Sequence, residues 1–257
     1  MRLKFSGNGA VVTGAGGGIG ERIVQDLLTA GINVCAIDLK ESPDFEVPEG
    51  VSLVYRQVDI TDPEALATAI DNARESLVTI DYVACAAGIA LFRHGDGGAL
   101  DIEDHVLDLT MGVNLRGVVN TVRATIDDLK QSAAGAVVII ASVAGLRGAE
   151  NIEDGEAIDA YQMSKAAVIS LNKSLALQYA KYGVRCNTVC PGAIWTPMTD
   201  EIYQDPARVE AMAGRTPIRR VGKPEDISYA TMTLLADQAS FITGIDLVSD
   251  GGIMARL

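Results

Sequence analysis

Seven short apolar runs alternate with helix-length amphipathic segments along the 257 residues. The alternation predicts an α/β fold, a doubly wound and mostly parallel seven-stranded sheet with helices on both faces. Two local features agree. A glycine-rich turn, Thr13-Gly-Ala-Gly-Gly-Gly-Ile-Gly20, follows the first run, and a carboxylate, Asp38, closes the second. In that context the arrangement is Rossmann-type.

In chain order, the predicted strands cover residues 10–13, 33–38, 52–59, 82–86, 136–142, 185–189 and 246–249. Their apolar character is nearly continuous, as expected of strands buried on both faces. The predicted helices cover 19–30, 63–76, 102–131, 161–182 and 225–236; the third begins near acidic residues and the last follows Pro224. With no repeat, low-complexity tract or linker, residues 1–257 read as one domain.

Composition narrows the function. Hydrophobic residues make up 48%, and the formal net charge is −13. An acidic chain lacks the basic stripe that nucleic acid demands, and it would be repelled by an anionic membrane surface. No apolar run approaches the ~18 residues needed to span a bilayer, and the amino terminus lacks a signal-peptide core. Cys35, Cys85, Cys186 and Cys190 sit in or at the end of apolar runs, as reduced thiols of a cytoplasmic protein do. Cys186 and Cys190 have no third or fourth ligand at metal spacing, so no metal is expected.

The turn at 13–20 carries the strongest binding signal. Gly14, Gly16, Gly18 and Gly20 allow a tight turn and close backbone approach to a pyrophosphate, and Ile19 opens a helix whose amino terminus favours an anion. Asp38, with Leu39 beside it, lies 18 residues beyond Gly20. A carboxylate there accepts from ribose hydroxyls and repels a 2′-phosphate, which favours NAD(H) over NADP(H). Asp59, followed by Ile60, is placed either to meet the adenine edge or to cap the next helix.

Tyr161-Gln-Met-Ser-Lys165 carries the chemistry. Helical residues four apart share a face, about 5–6 Å apart at Cβ. An ordinary phenol, with a pKa of about 10, is a poor base at neutral pH, and a neighbouring ammonium favours its ionised form.

Taken with Val113-Asn114-Leu115, Ile140-Ala-Ser-Val-Ala-Gly145, Pro191-Gly192 and Asp250-Gly-Gly252, these motifs resemble the short-chain dehydrogenase/reductase family in its short, single-domain branch. The resemblance runs through nearly the whole chain. It implies Tyr161 as general acid/base, Lys165 lowering its pKa and holding the nicotinamide ribose, and Ser142 donating to the substrate oxygen. It implies Asn114 holding a water that links Lys165 to solvent. Ala87, Gly88, Pro191, Gly192, Ile194 and Thr196 become further cofactor contacts, whereas Asn187 ties strand to loop. A homotetramer is likewise implied.

The chain departs from the family pattern in two places. The usual Asn-Asn-Ala-Gly reads Cys85-Ala-Ala-Gly88, which predicts altered hydrogen bonding there. The interval from Ser142 to Tyr161 is longer than is typical, and the excess, residues 148–159, carries five carboxylates. That segment reads either as a solvated loop or as a rim disfavouring anionic substrates. Residues 193–215 resemble the family's substrate lid and contain Trp195, Met198, Ile202, Tyr203 and Met212. With Leu91, Phe92, Val143 and Leu146 they suggest a hydrophobic alcohol or ketone, alicyclic, aromatic or steroid-like. The expected function is NAD(H)-dependent interconversion of a secondary alcohol and a ketone. A hydroxysteroid dehydrogenase is the narrower alternative, and a non-catalytic nucleotide-sensing regulator is the alternative of another class.

Overall fold

The computed structural model describes residues 2–92, 94–148 and 157–256. Its centre is a seven-stranded, wholly parallel sheet. The strands are β1 (Gly9–Thr13), β2 (Asn33–Asp38), β3 (Leu53–Gln57), β4 (Tyr82–Cys85), β5 (Ala136–Ile140), β6 (Arg185–Pro191) and β7 (Asp246–Ser249), in spatial order β3-β2-β1-β4-β5-β6-β7. The order reverses between β1 and β4, which opens a crevice at their carboxyl ends where ligands of such sheets bind.

Alternation along the strands builds two cores. Val11, Cys35, Ile37, Val137 and Ile139 face one side, packed with Val122, Leu129 and Val168. Val12, Val34, Ala36 and Val138 face the other, packed with Ile23, Leu27, Ile227 and Leu234. Each Val, Leu or Ile among them stabilises the fold by roughly 1.5–3 kcal/mol when fully buried.

The first core is covered by α2 (Pro63–Asp71), α3 (Arg74–Leu77), α5 (Gly117–Gln131) and α6 (Asp159–Tyr179), while α4 (Asp104–Met111) packs against α6. Later come α7 (Asp200–Tyr203), α8 (Pro206–Arg215) and α9 (Pro224–Leu235). The last of these packs with α1 (Gly18–Thr29) over the second core.

The sequence predicts one helix over 102–131, but a π-helical turn at Gly112–Arg116 separates α4 from α5. The side chain of Asn114 grips the backbone of Ile89 within that turn. The helix expected at 161–182 starts two residues earlier and tightens into a 3-10 turn at Ala180–Tyr182. β6 outruns its predicted end because Cys190 and Pro191 still pair with β7. No helix is long and apolar enough to cross a membrane, and no metal-binding group of His, Cys, Asp or Glu occurs among the described residues.

Candidate active site

At the crevice, β1 leads into a turn that only glycine can build. Gly14 adopts φ +76°, and a Cβ there would lie 2.5 Å from the Ala87 nitrogen. At Gly20 it would lie 2.0 Å from the Gly14 carbonyl oxygen, so α1 crosses β1 at backbone contact. The N-cap of α1 is Gly17, with no side chain to cap the first amides, which leaves them available to an anion. Asp38 supports the turn from β2: its Oδ2 accepts from Gly16 N at 2.8 Å and its Oδ1 from Lys40 N at 2.9 Å.

A cavity of about 1200 Å³ runs from this cradle to Tyr161. Every residue expected to contact the cofactor lines it, as do Ser142, Tyr161 and Lys165. Asp59 accepts from Thr61 N at 2.8 Å, while the cap of α2 is Asp62, accepting from Glu64 N and Ala65 N. Beside the cradle, Thr13 Oγ1 is buried with no hydrogen-bond partner among the described residues. Its register partner is Cys85, where the family pattern has an amide.

The reacting end lies between β5 and α6. The Tyr161 hydroxyl faces Ser142, whose Oγ accepts from Ala144 N at 3.1 Å and so keeps its own hydrogen to donate. Burial raises the Tyr161 pKa and the Ser142 contact opposes the rise. One turn on, the Lys165 ammonium donates to the Ile140 carbonyl at 3.0 Å and lies 5.5 Å from the Tyr161 ring centroid. Burial pushes its pKa down to about 8. Gly88 admits both neighbours: a Cβ there would lie 3.3 Å from Lys165 Nζ and from Asn114 Oδ1.

Asn114 stands behind this cluster rather than in the cavity. Its Oδ1 accepts from Ile89 N at 2.8 Å, and its Nδ2 donates to Ile89 O and Ser164 Oγ, both at 2.9 Å. The side-chain amide is thus committed to bracing the loop after β4 against α6. Asn187 ties strand to loop through Ile242 and Ile245, as expected.

One residue of this site is absent from the sequence reading. Asp96 accepts from Ala160 N at 2.9 Å and from Tyr161 N at 3.0 Å, capping α6 from a loop far upstream. Gly95-Asp-Gly-Gly98 signals a turn, but nothing local indicates that the carboxylate serves a helix more than sixty residues later.

The lid region contains α7 and α8 and a small core of its own, in which Tyr203 and Met212 pack with Val221. Both line the cavity with Met198 and Ile202. Trp195 does not: it is partly exposed, and its indole donates to Asp200 at 2.9 Å. From the expected apolar wall, Leu91, Phe92 and Val143 line the cavity, whereas exposed Leu146 lies outside it. Of the acidic insertion, residues 149–156 lie outside the described residues.

Comparison with known proteins gives the same family. A family profile described as enoyl-(acyl carrier protein) reductase matches residues 14–254. The chain is 34% identical to an oxidoreductase named UcpA from Escherichia coli K12, over 97% of this chain and 95% of the relative. It is also 34% identical to 3beta-hydroxysteroid dehydrogenase 2 of Eggerthella lenta, over 96% and 95%. Among solved structures, the ligand-free aldohexose dehydrogenase of Thermoplasma acidophilum is similar at 29% identity and a TM-score of 0.84, over 98% of this chain and 95% of that one. The chain belongs to the short-chain dehydrogenase/reductase family and is an oxidoreductase of that type.

Proposed function

We propose that this protein interconverts a secondary alcohol and a ketone with NAD(H), acting on a hydrophobic substrate. The observation that carries the reading is that Ser142, Tyr161 and Lys165 line one cavity, with Ser142 placed to lower the Tyr161 pKa. The glycine cradle fits a dinucleotide: a Cβ at Gly14 or Gly20 would strike neighbouring backbone and spread the turn, and the first amides of α1 have no side-chain cap. Asp38, on the cavity wall, supports NAD over NADP, because a 2′-phosphate would meet its carboxylate.

A bound nicotinamide supplies the hydride acceptor or donor. The chain's own groups hold the substrate oxygen and move its proton. Ser142 donates to that oxygen, and Tyr161 exchanges a proton with it. Burial alone keeps the phenol protonated, so ionisation depends on the Ser142 contact and on positive charge, for which Lys165 is placed one turn away on the same helix face. Tyr161 and Lys165 stand together in the cavity, which favours catalysis over a purely nucleotide-sensing role.

Apolar side chains at the reacting end, among them Phe92, Val143, Met198 and Ile202, support a hydrophobic ligand. A hydroxysteroid is the narrower candidate and is also the substrate class named for the Eggerthella relative. We further propose one domain, a cytoplasmic location consistent with four buried free cysteines, and a homotetramer that sedimentation would measure. The test of function is turnover with NAD or NADP of cyclohexanol, 1-phenylethanol, a 3β-hydroxysteroid and an aldohexose. Tyr161→Phe should abolish turnover and leave NADH binding nearly intact. Preserved turnover overturns the mechanism, a preference for NADP overturns the argument from Asp38, and a preference for the aldohexose overturns the apolar reading.

A further inference from the structure

We propose that Asp96 is a positioning residue for Tyr161, holding the first turn of α6 so that the phenol meets the substrate oxygen. The inference rests on the reading of Tyr161 as acid/base.

A helix leaves its first amides without intrahelical partners, and a side-chain oxygen at the N-cap usually accepts one of them. The N-cap of α6 is Ile158, which has no such atom. The need is met from the loop after β4. Asp159 N donates to Gly97 O at 3.0 Å, Ala160 N to Asp96 Oδ1 at 2.9 Å and Tyr161 N to Asp96 Oδ2 at 3.0 Å. Gln162 N, bonded to Ile158 O at 2.9 Å, then begins the helical ladder. In return, Asp159 Oδ2 accepts from Ala99 N at 2.8 Å.

The carboxylate is only 6% exposed, and both of its oxygens are engaged by backbone amides. Such bonds to a charged acceptor are short and directional, and negative charge is favoured at a helix amino terminus. The loop reaches its target through Gly95, whose φ of +97° suits glycine, and whose Cβ would lie 3.0 Å from Val106. A second contact comes from the same loop: the Phe92 ring packs edge-on against Tyr161 at 5.2 Å between centroids. One segment therefore holds Tyr161 by its amide and by its ring, and its Phe92 also lines the cavity. A capping residue acting only on stability would serve equally well at any helix. This one bonds the backbone of the acid/base residue itself, where a displacement of about 1 Å costs on the order of a hundredfold in rate.

Three variants test the assignment: Asp96→Ala, Asp96→Asn and, as reference, Tyr161→Phe. Each is assayed by turnover of the fastest alcohol in the panel above, by NADH fluorescence titration and by amide hydrogen exchange. In Asp96→Ala, kcat should fall by about tenfold or more while KM for NAD and the NADH affinity stay within about twofold. Exchange should quicken at Ala160 and Tyr161. Asp96→Asn keeps one acceptor oxygen and should recover part of the lost kcat. If Asp96→Ala does not fold, the same readouts on Asp96→Asn carry the test.

A kcat within about twofold of the parent, with only a lower melting temperature, overturns the proposal, since a purely structural cap gives that result. An equal loss of NADH binding overturns it too. Should Tyr161→Phe retain turnover, the acid/base reading fails and the proposal with it. Should Tyr161→Phe be inactive and Asp96→Ala fully active, only the role of Asp96 fails.

Discussion

Replacing Lys165 with Met should make the free protein more stable at pH 7 while destroying its activity. Met matches the length of the lysine stem and removes the charge. Burial lowers the lysine pKa from 10.5 to about 8. At about 1.4 kcal/mol per unit, the buried ammonium costs on the order of 3 kcal/mol at neutral pH. Against this, the variant forfeits the bond from Nζ to the Ile140 carbonyl, a charged hydrogen bond contributing about 2 kcal/mol. The net gain is about 1 kcal/mol, or about 2–4 °C in melting temperature for a chain of this size.

The sign depends on pH. A lysine with a depressed folded pKa imposes no penalty above its unfolded value of 10.5; the penalty accumulates as pH falls towards about 8 and is complete below it. The advantage of Lys165→Met should therefore be largest at pH 7 and vanish near pH 10. Urea denaturation of both proteins without cofactor, at the two pH values, measures the difference. A variant less stable at pH 7, or a difference independent of pH, would refute the reasoning.

Two other substitutions probe the supports of the site. Gly20→Ala places a methyl 2.0 Å from the Gly14 carbonyl oxygen, so NADH binding should fall below detection by fluorescence and the urea midpoint should drop. Asn114→Leu keeps the branched shape but leaves Ile89 N and O and Ser164 Oγ without their partner. Unfolding free energy should fall by about 2–4 kcal/mol, and kcat should drop with it. An unchanged urea midpoint would show that the Asn114 side chain braces nothing.

The sheet was legible because its signals are local. Strands buried on both faces read as apolar runs, and the cradle is a run of glycines that marks a tight turn into a helix. Asp38 was legible for the same reason, since its distance from the glycine turn is set by one helix and one strand. What escaped the sequence are contacts that join distant segments. The π-helical turn depends on Asn114 meeting Ile89, and the start of α6 depends on Asp96. In the lid, Trp195 reads as a ligand contact by composition, yet its indole bonds Asp200 outside the cavity. Apolar character alone does not distinguish a wall from a brace.

The features that define the site share an energetic character. Lys165 is a buried ammonium, α1 lacks a side-chain cap, Thr13 keeps a buried hydroxyl without a partner among the described residues, and the first turn of α6 cannot cap itself. Lys165 and the uncapped first turn of α1 lie on the cavity, where a dinucleotide and a substrate would supply partners, whereas Asp96 and Gly97 already satisfy the first turn of α6. The two cores on either side of the sheet carry that strain. This is why Tyr-x-x-x-Lys needs more than a helix. The tyrosine requires an amide anchor from Asp96 and a hydroxyl partner from Ser142, and the lysine needs a carbonyl from Ile140. Those anchors come from the loop after β4 and from the end of β5 and the turn beyond it. The spacing of four residues puts the pair on one face, and the sheet, through its loops, gives that face its direction.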